Sequence, residues 1–151
     1  MGHLPAAPTN HVALVTCMDA RLLPSHPPAL GIEPGTTHII RNGGGSARDA
    51  LRSLMASQHC LRTEEILLIK HTDCGFSHFE KDDEVVVKVG EAGEKAREMA
   101  EGVEFEVFGS DVEGAVSRDV EFLRGCEGLK HRGKISGWVY ETGTGEVRRV
   151  C

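Results

Sequence analysis

No apolar run in this 151-residue chain approaches membrane-spanning length: residues 66–69 and 85–87 are typical of its longest, against the roughly 20 that a helical span needs. No part of the chain is expected to cross a bilayer. Positive charge is also in deficit, 17 Lys and Arg facing 23 Asp and Glu for a formal net charge of −6. That balance argues against an electrostatic grip on nucleic acid or on an anionic membrane surface. Residues 1–10 have no basic stretch followed by an apolar one, and no Arg- and Ser-rich character. Neither a secretory nor a transit leader is therefore expected, and the location is read as cytoplasmic. Proline is missing beyond Pro34, which confines irregular connections to the first part of the chain and leaves the rest free to be regular. There is no Cys-x-x-Cys pair to support thiol redox chemistry. The five scattered cysteines, Cys17, Cys60, Cys74, Cys126 and Cys151, suit a reducing compartment better than a disulfide framework. Neither a G-x-G-x-x-G motif nor a P-loop motif occurs, so the glycines at 43–45 have little support as a phosphate cradle.

What is present is one domain's worth of chain, with 40% hydrophobic and 26% charged residues, close to the average of soluble globular proteins. Residues 1–10 read as a short N-terminal arm. Residues 11–17 carry the continuous apolar run Val12-Ala13-Leu14-Val15, the pattern of a strand buried on both faces of a parallel sheet. Residues 37–41 and 65–70 have the same short apolar character and read as two more strands. Between them a helix opens at Ser46, where Ser46-x-x-Asp49 resembles a capping box. Its positions Ala47, Ala50, Leu51, Leu54 and Met55 form one apolar stripe. Strand, helix, strand implies a right-handed crossover, hence the α/β class: a single domain with a mostly parallel central sheet flanked by helices. Further on, residues 90–101 read as an exposed helix, and Val112, Ala115, Val116, Val120 and Leu123 mark a second, amphipathic one. Both are expected to cover the sheet. Residues 134–141 and 146–150, around a turn at 142–145, read as a terminal hairpin.

Ligand-type residues follow two of the strands. The first ends in Cys17-Met18-Asp19-Ala20-Arg21 and the third in His71-Thr72-Asp73-Cys74-Gly75. Sites in parallel α/β sheets lie outside the carboxyl ends of the strands, so Cys17 and His71 meet if their strands are neighbours, whatever their separation in sequence. Two thiols and an imidazole suit Zn2+, and three protein ligands leave a fourth tetrahedral position open for chemistry. A Cys at a strand end, taken singly, is usually a small buried hydrophobe. The joint placement of Cys, Asp and Arg past one strand and of His and Cys past another is what points to a site.

Cys17-x-Asp19-x-Arg21, the Arg41-Asn42-Gly43-Gly44 loop and His71-x-x-Cys74-Gly75 together resemble the β-class carbonic anhydrases, in particular their short single-domain branch, which includes carbonyl sulfide hydrolases. The likeness extends to residues 112–125, similar to that family's late helix, and to residues 135–150, similar to its closing hairpin. The resemblance implies a zinc-binding catalytic domain over residues 11–151, with one Zn2+ per chain held by Cys17, His71 and Cys74 and an Asp19–Arg21 dyad beside it. It also implies an obligate homodimer, or a higher homo-oligomer, with active sites near the subunit interface. Gly43 and Gly44 are candidate substrate-binding positions, where the lack of side chains lets backbone approach the metal pocket. In the family Ala often stands where this chain has Gly43, and a longer N-terminal arm commonly wraps the partner subunit. The local pocket shape and the dimer contacts are therefore expected to differ here.

The chemistry of these residue types agrees with the resemblance. Two thiolates and a neutral imidazole cancel the metal's charge, so bound water is acidified less than under three imidazoles, and a metal-bound hydroxide is expected around or above neutral pH. Asp19 is placed to accept a hydrogen bond from that hydroxide and leave a lone pair aimed at the carbon of a small linear electrophile. Arg21 would keep the carboxylate ionised and stop it swinging onto the zinc as a fourth ligand. The leading expectation is hydration of CO2 to bicarbonate. Carbonyl sulfide is the rival substrate, giving hydrogen sulfide and CO2 at the same site, with carbon disulfide a further candidate; ligand residues do not report which. A non-catalytic zinc protein would need a fourth donor, against which three ligands count. His26, His38, His59 and His78 are candidate proton shuttles. Phe76 and Phe79, directly after the metal motif, either wall the pocket or join the core.

Overall fold

The computed structural model describes residues 3–22 and 32–151. The strands are β1 Val12–Cys17, β2 Thr37–Asn42, β3 Glu65–His71, β4 Ile135–Tyr140 and β5 Val147–Arg149, and they form one sheet in the order β2-β1-β3-β4-β5. The first four run parallel, and β5 returns antiparallel on β4 as the expected hairpin. Strand β1 takes a central place because its short apolar residues tolerate burial on both faces, and Ala13, Leu14 and Val15 are all buried. Strand β2, at the edge, is half-buried along its whole length. Ahead of β1, Thr9 and Asn10 donate their N–H groups to the carbonyls of Gly35 and Thr36, tying the arm to the chain that enters β2.

Helix α1, Ala47–Leu61, starts where the sequence predicts, with Ser46 Oγ accepting from the Asp49 N–H. The return half of the box is supplied differently: the Ser46 N–H donates to Asn42 Oδ1 rather than to Asp49. After β3 come α2 Asp82–Gly90, α3 Glu94–Glu101 and α4 Val112–Gly125. The stripes of α1 (Ala47, Ala50, Leu54) and α4 (Val116, Val120, Leu123) pack with Ala13, Val15, Ile66, Leu68, Ile135 and Val139 in one core. Each fully buried Leu or Val there contributes about 1.5–3 kcal/mol.

One expectation holds only in part. The helix read over residues 90–101 forms as α3 over Glu94–Glu101, and it is preceded by the end of α2 and a turn in which Gly93 has φ 129°. The pair pack mainly on each other, so of the two helices expected to cover the sheet only α4 does. Nothing in the sequence reading anticipated α2, because its Val85-Val86-Val87 run has the stiffness of a strand. An acidic first turn, Asp82-Asp83-Glu84, favours the helix instead by meeting the positive end of its dipole. Glu84 Oε1 also accepts the N–H groups of Glu80 and Lys81. Asp82 reaches outward and accepts the N–H groups of Phe105, Glu106 and Val107, fixing the loop that leads to α4. No helix among the described residues is long and apolar enough to cross a membrane.

Candidate metal centre

The chain leaves β1 for β2 on one side of the sheet and returns to β3 on the other, so the strand order reverses between β1 and β3. A crevice opens at the carboxyl ends of strands where such a reversal occurs. Cys17 is the last residue of β1 and His71 the last of β3. Cys74 follows in the loop, and the ligand atoms of the three lie within 4.8 Å of one another. All three side chains are buried.

Two details fit these donors to a metal. The His71 Nδ1 lies 2.9 Å from the Thr72 carbonyl, which can only accept, so Nδ1 carries the proton and Nε2 presents a lone pair. That Nε2 is fully buried and has no hydrogen-bond partner among the described residues, an arrangement that costs stability unless something else fills its need. The Cys17 and Cys74 sulfurs are 3.8 Å apart. Two thiolates bound at about 2.3 Å to one tetrahedral zinc stand at about that spacing, which is far too long for a disulfide.

The thiols are not equivalent. A hydrogen bond shared with Cys74 pulls the Cys17 thiol well below the usual thiol range, against the opposing effect of burial. The same shared proton, together with burial, pushes Cys74 upward. Sulfur binds a metal as thiolate, so protons must leave this pair when a cation enters.

Asp19 stands beside the donors, its Oδ2 3.8 Å from His71 Nε2. Arg21 grips it with Nε on Oδ1 at 3.0 Å and Nη2 on Oδ2 at 2.8 Å, while the Arg21 N–H adds a third bond to Oδ1. This grip holds the Asp19 carboxyl far below the ordinary carboxylate range. Arg21 also bonds the Asp73 side chain and carbonyl, both at 2.7 Å, and lowers that carboxyl too. Arg41, from β2, clamps the backbone beneath by donating to the carbonyls of Cys17 and Asp19. Depressed carboxyls contribute stability above their unfolded values near pH 4 and lose it as pH falls through the folded ones. The melting temperature of Arg21→Ala is therefore expected to lie below that of the wild type at neutral pH, with the gap narrowing but not yet closed between about pH 4 and pH 2. Thermal melts across that range check this; a gap that persists unchanged at pH 2 would contradict it.

Gly43 and Gly44, the expected substrate-side positions, lie in a tight turn after β2 that the Asn42 side chain brackets through both backbone groups of Ser46. Gly45 has φ 62°, and a Cβ there would sit 3.2 Å from the Cys17 nitrogen, so this position must be glycine for the loop to reach the metal ligand. Lys70, inside β3 and only 3% exposed, donates to the carbonyls of Gly44 and Gly45 and pairs with Asp119 of α4 at 2.9 Å. Asp119 in turn accepts the N–H of Ala47.

Asp73, Lys70, Asp119 and the clamping role of Arg41 all went unread in the sequence. Lys70 alone carried a signal, since a lysine within a buried apolar strand demands a partner. Of the candidate histidines, His38 is bonded to Ser57 and Ala6 near the opposite end of the sheet. His59 is bonded to the Gly128 carbonyl. His78 stands 3.4 Å from Asp73 Oδ1 beside the site, and His26 lies outside the described residues. Cys60 is exposed, and Cys126 and Cys151 pack against the main core.

Sulfur and imidazole donors converging at the reversal point of a parallel sheet, with an ionised carboxylate locked next to them, define an α/β protein whose donor set could hold a borderline-soft metal. A family model described as carbonic anhydrase matches residues 12–147. Beta-carbonic anhydrase 1 of Mycobacterium tuberculosis is 49% identical over 83 residues, 54% of this chain and 50% of that protein. The chain thus spans about half the length of that relative in the match. Carbon disulfide hydrolase of Saccharolobus solfataricus is 34% identical over 157 aligned positions, 90% of this chain and 75% of that one. Among solved structures, a carbonic anhydrase from Glaciozyma antarctica superposes with a TM-score of 0.91 at 38% identity, covering 99% of this chain and 87% of that chain. The chain belongs to the β-carbonic anhydrase family.

Proposed function

We propose that this protein is a zinc enzyme that adds water to a small, linear, neutral electrophile, with CO2 as the substrate and bicarbonate as the product. The observation that carries this reading is the buried, unpartnered Nε2 of His71 facing two sulfurs at zinc-like separation. Cys17, His71 and Cys74 would hold the metal. Bound there, zinc supplies a Lewis acid that acidifies water, less strongly beside two thiolates than beside three imidazoles, so activity is expected to rise with pH above neutrality. Asp19, ionised and acceptor-only, takes a hydrogen bond from the attacking water and fixes which lone pair faces the carbon. Arg21 holds both Asp19 oxygens and so keeps the carboxylate from turning inward as a fourth ligand. Gly43 and Gly44, lacking Cβ atoms, leave room beside the donors for the Phe76 ring.

The match to a carbon disulfide hydrolase over most of the chain favours a second reading, in which the same machinery adds water to carbonyl sulfide and releases CO2 and hydrogen sulfide. CO2 hydration and sulfide release measured on one zinc-replete preparation across pH 7–9 discriminate the two. Bicarbonate formation that dominates supports the first reading, and sulfide release that dominates supports the second. Turnover of neither leaves a zinc protein without catalysis. The family resemblance also supports a homodimer; a stable, active monomer in sedimentation would contradict it.

A further inference from the structure

The ring of Phe76 occupies space that a side chain at position 43 would need. A Cβ at Gly43 would stand 2.4 Å from Phe76 Cζ and 2.8 Å from Cε2, and one at Gly44 would stand 3.1 Å from Cγ of the same ring. Backbone bonds fix where the ring sits. The Phe76 carbonyl accepts from the Phe108 N–H at 3.2 Å, and the next residue, Ser77, donates its N–H and its Oγ to the Cys74 carbonyl. The side chain packs against the small cluster formed by Cys17, Cys74, Leu22, Phe108 and Ala115. Phe76 is therefore wedged between the sulfur ligands and the glycine turn, and it lies flat on that turn only because Gly43 and Gly44 have no Cβ.

An aromatic ring at this place offers an apolar wall without donors, suited to a neutral triatomic molecule and unsuited to a hydrated or charged one. Its size matters because a pocket discriminates between similar apolar substrates chiefly by volume, one methylene being worth about 10–200-fold. We propose that Phe76, seated on Gly43, is the specificity-determining wall of the substrate pocket and sets the preference among linear triatomics according to their length and girth. This rests on the function proposed above. With the ring in place, the slimmer CO2 is favoured over carbonyl sulfide, and carbonyl sulfide over carbon disulfide.

The test compares wild type, Phe76→Leu, Phe76→Ala, Gly43→Ala and the Gly43→Ala/Phe76→Ala double variant. kcat/KM is measured for CO2, carbonyl sulfide and carbon disulfide, together with zinc content and melting temperature. Phe76→Ala is expected to raise the ratio of carbon disulfide to CO2 turnover by about tenfold or more, with Phe76→Leu between it and wild type. Gly43→Ala is expected to lower the melting temperature when Phe76 is intact and to have little effect on top of Phe76→Ala, where no ring opposes the new methyl. A substrate ratio unchanged within about twofold in active, zinc-replete Phe76 variants overturns the wall, being smaller than the smallest discrimination a methylene produces. Wild-type protein inactive on all three substrates overturns the functional reading itself, and the wall with it.

Discussion

Cys74→Ser is expected to bring bound zinc from one per chain to a small fraction of that, and to lower turnover by at least about 100-fold, beyond the 10–100-fold typical of losing an outer partner of a ligand. The reason is ligand chemistry. A serine hydroxyl does not ionise near neutral pH, so it offers a harder and far weaker donor than thiolate to a borderline-soft cation. Cys74 lies 3.8 Å from the Cys17 sulfur, so its loss also leaves that thiol without its soft partner at the centre. Any metal still bound by the variant is expected to dissociate readily into a chelator. The fold should survive, since the substitution nearly conserves volume and buries one hydroxyl at a cost of about 1–3 kcal/mol. Circular dichroism therefore separates loss of metal from loss of structure. Cys126→Ser, away from the site against the main core, serves as the control and is expected to keep its zinc. Full zinc content in Cys74→Ser would remove this residue from the coordination set.

Lys70→Met is expected to be the most destabilising single change outside the main core. It strips the ammonium from Asp119 and from the carbonyls of Gly44 and Gly45 at once, leaving a largely buried carboxylate without its counter-charge. Breaking a buried pair from one side costs about 3–5 kcal/mol. For a domain of this length that corresponds to a fall in melting temperature of roughly 6–20 °C. Removing both charges, as in Lys70→Met/Asp119→Leu, is expected to recover part of the loss, because no lone buried charge remains even though the Ala47 N–H and the Gly44 and Gly45 carbonyls lose their partners. Activity separates the structural from the positioning contribution. If Lys70 holds the glycine turn against Cys17, the double variant regains stability yet stays about 10–100-fold down in kcat/KM. Recovery of both together would leave Lys70 with a structural part only.

Legibility in the sequence followed the range of the interactions. The Val12-Ala13-Leu14-Val15 run, the Ser46 cap and the α4 stripe are local patterns, and each element formed where its pattern lay. The two clusters of ligand-type residues were readable because each sits at the end of such an element. Helix α2 is the exception, because its signal, the acidic first turn Asp82-Asp83-Glu84 with Glu84 capping Lys81, is local too but is set against a run of three valines that favours a strand. Asp73 read as a spacer between two ligands. Its part as a second anchor for Arg21 depends on a left-handed backbone, φ 54°, that turns its carbonyl and carboxylate toward a residue 52 positions earlier.

By itself the amino-acid order determined the class of fold, the five strand positions within a residue or two, and the three side chains offered to a metal, because hydrophobic period and residue chemistry are properties of short segments. Only the tertiary structure decided that β1 and β3 are neighbours, that the His71 Nε2 is left bare, that Lys70 finds Asp119, and that the Phe76 ring lies where Gly43 has no side chain. Each of those facts joins groups from distant parts of the chain, and their distances are set by packing the whole sheet rather than by any stretch of it.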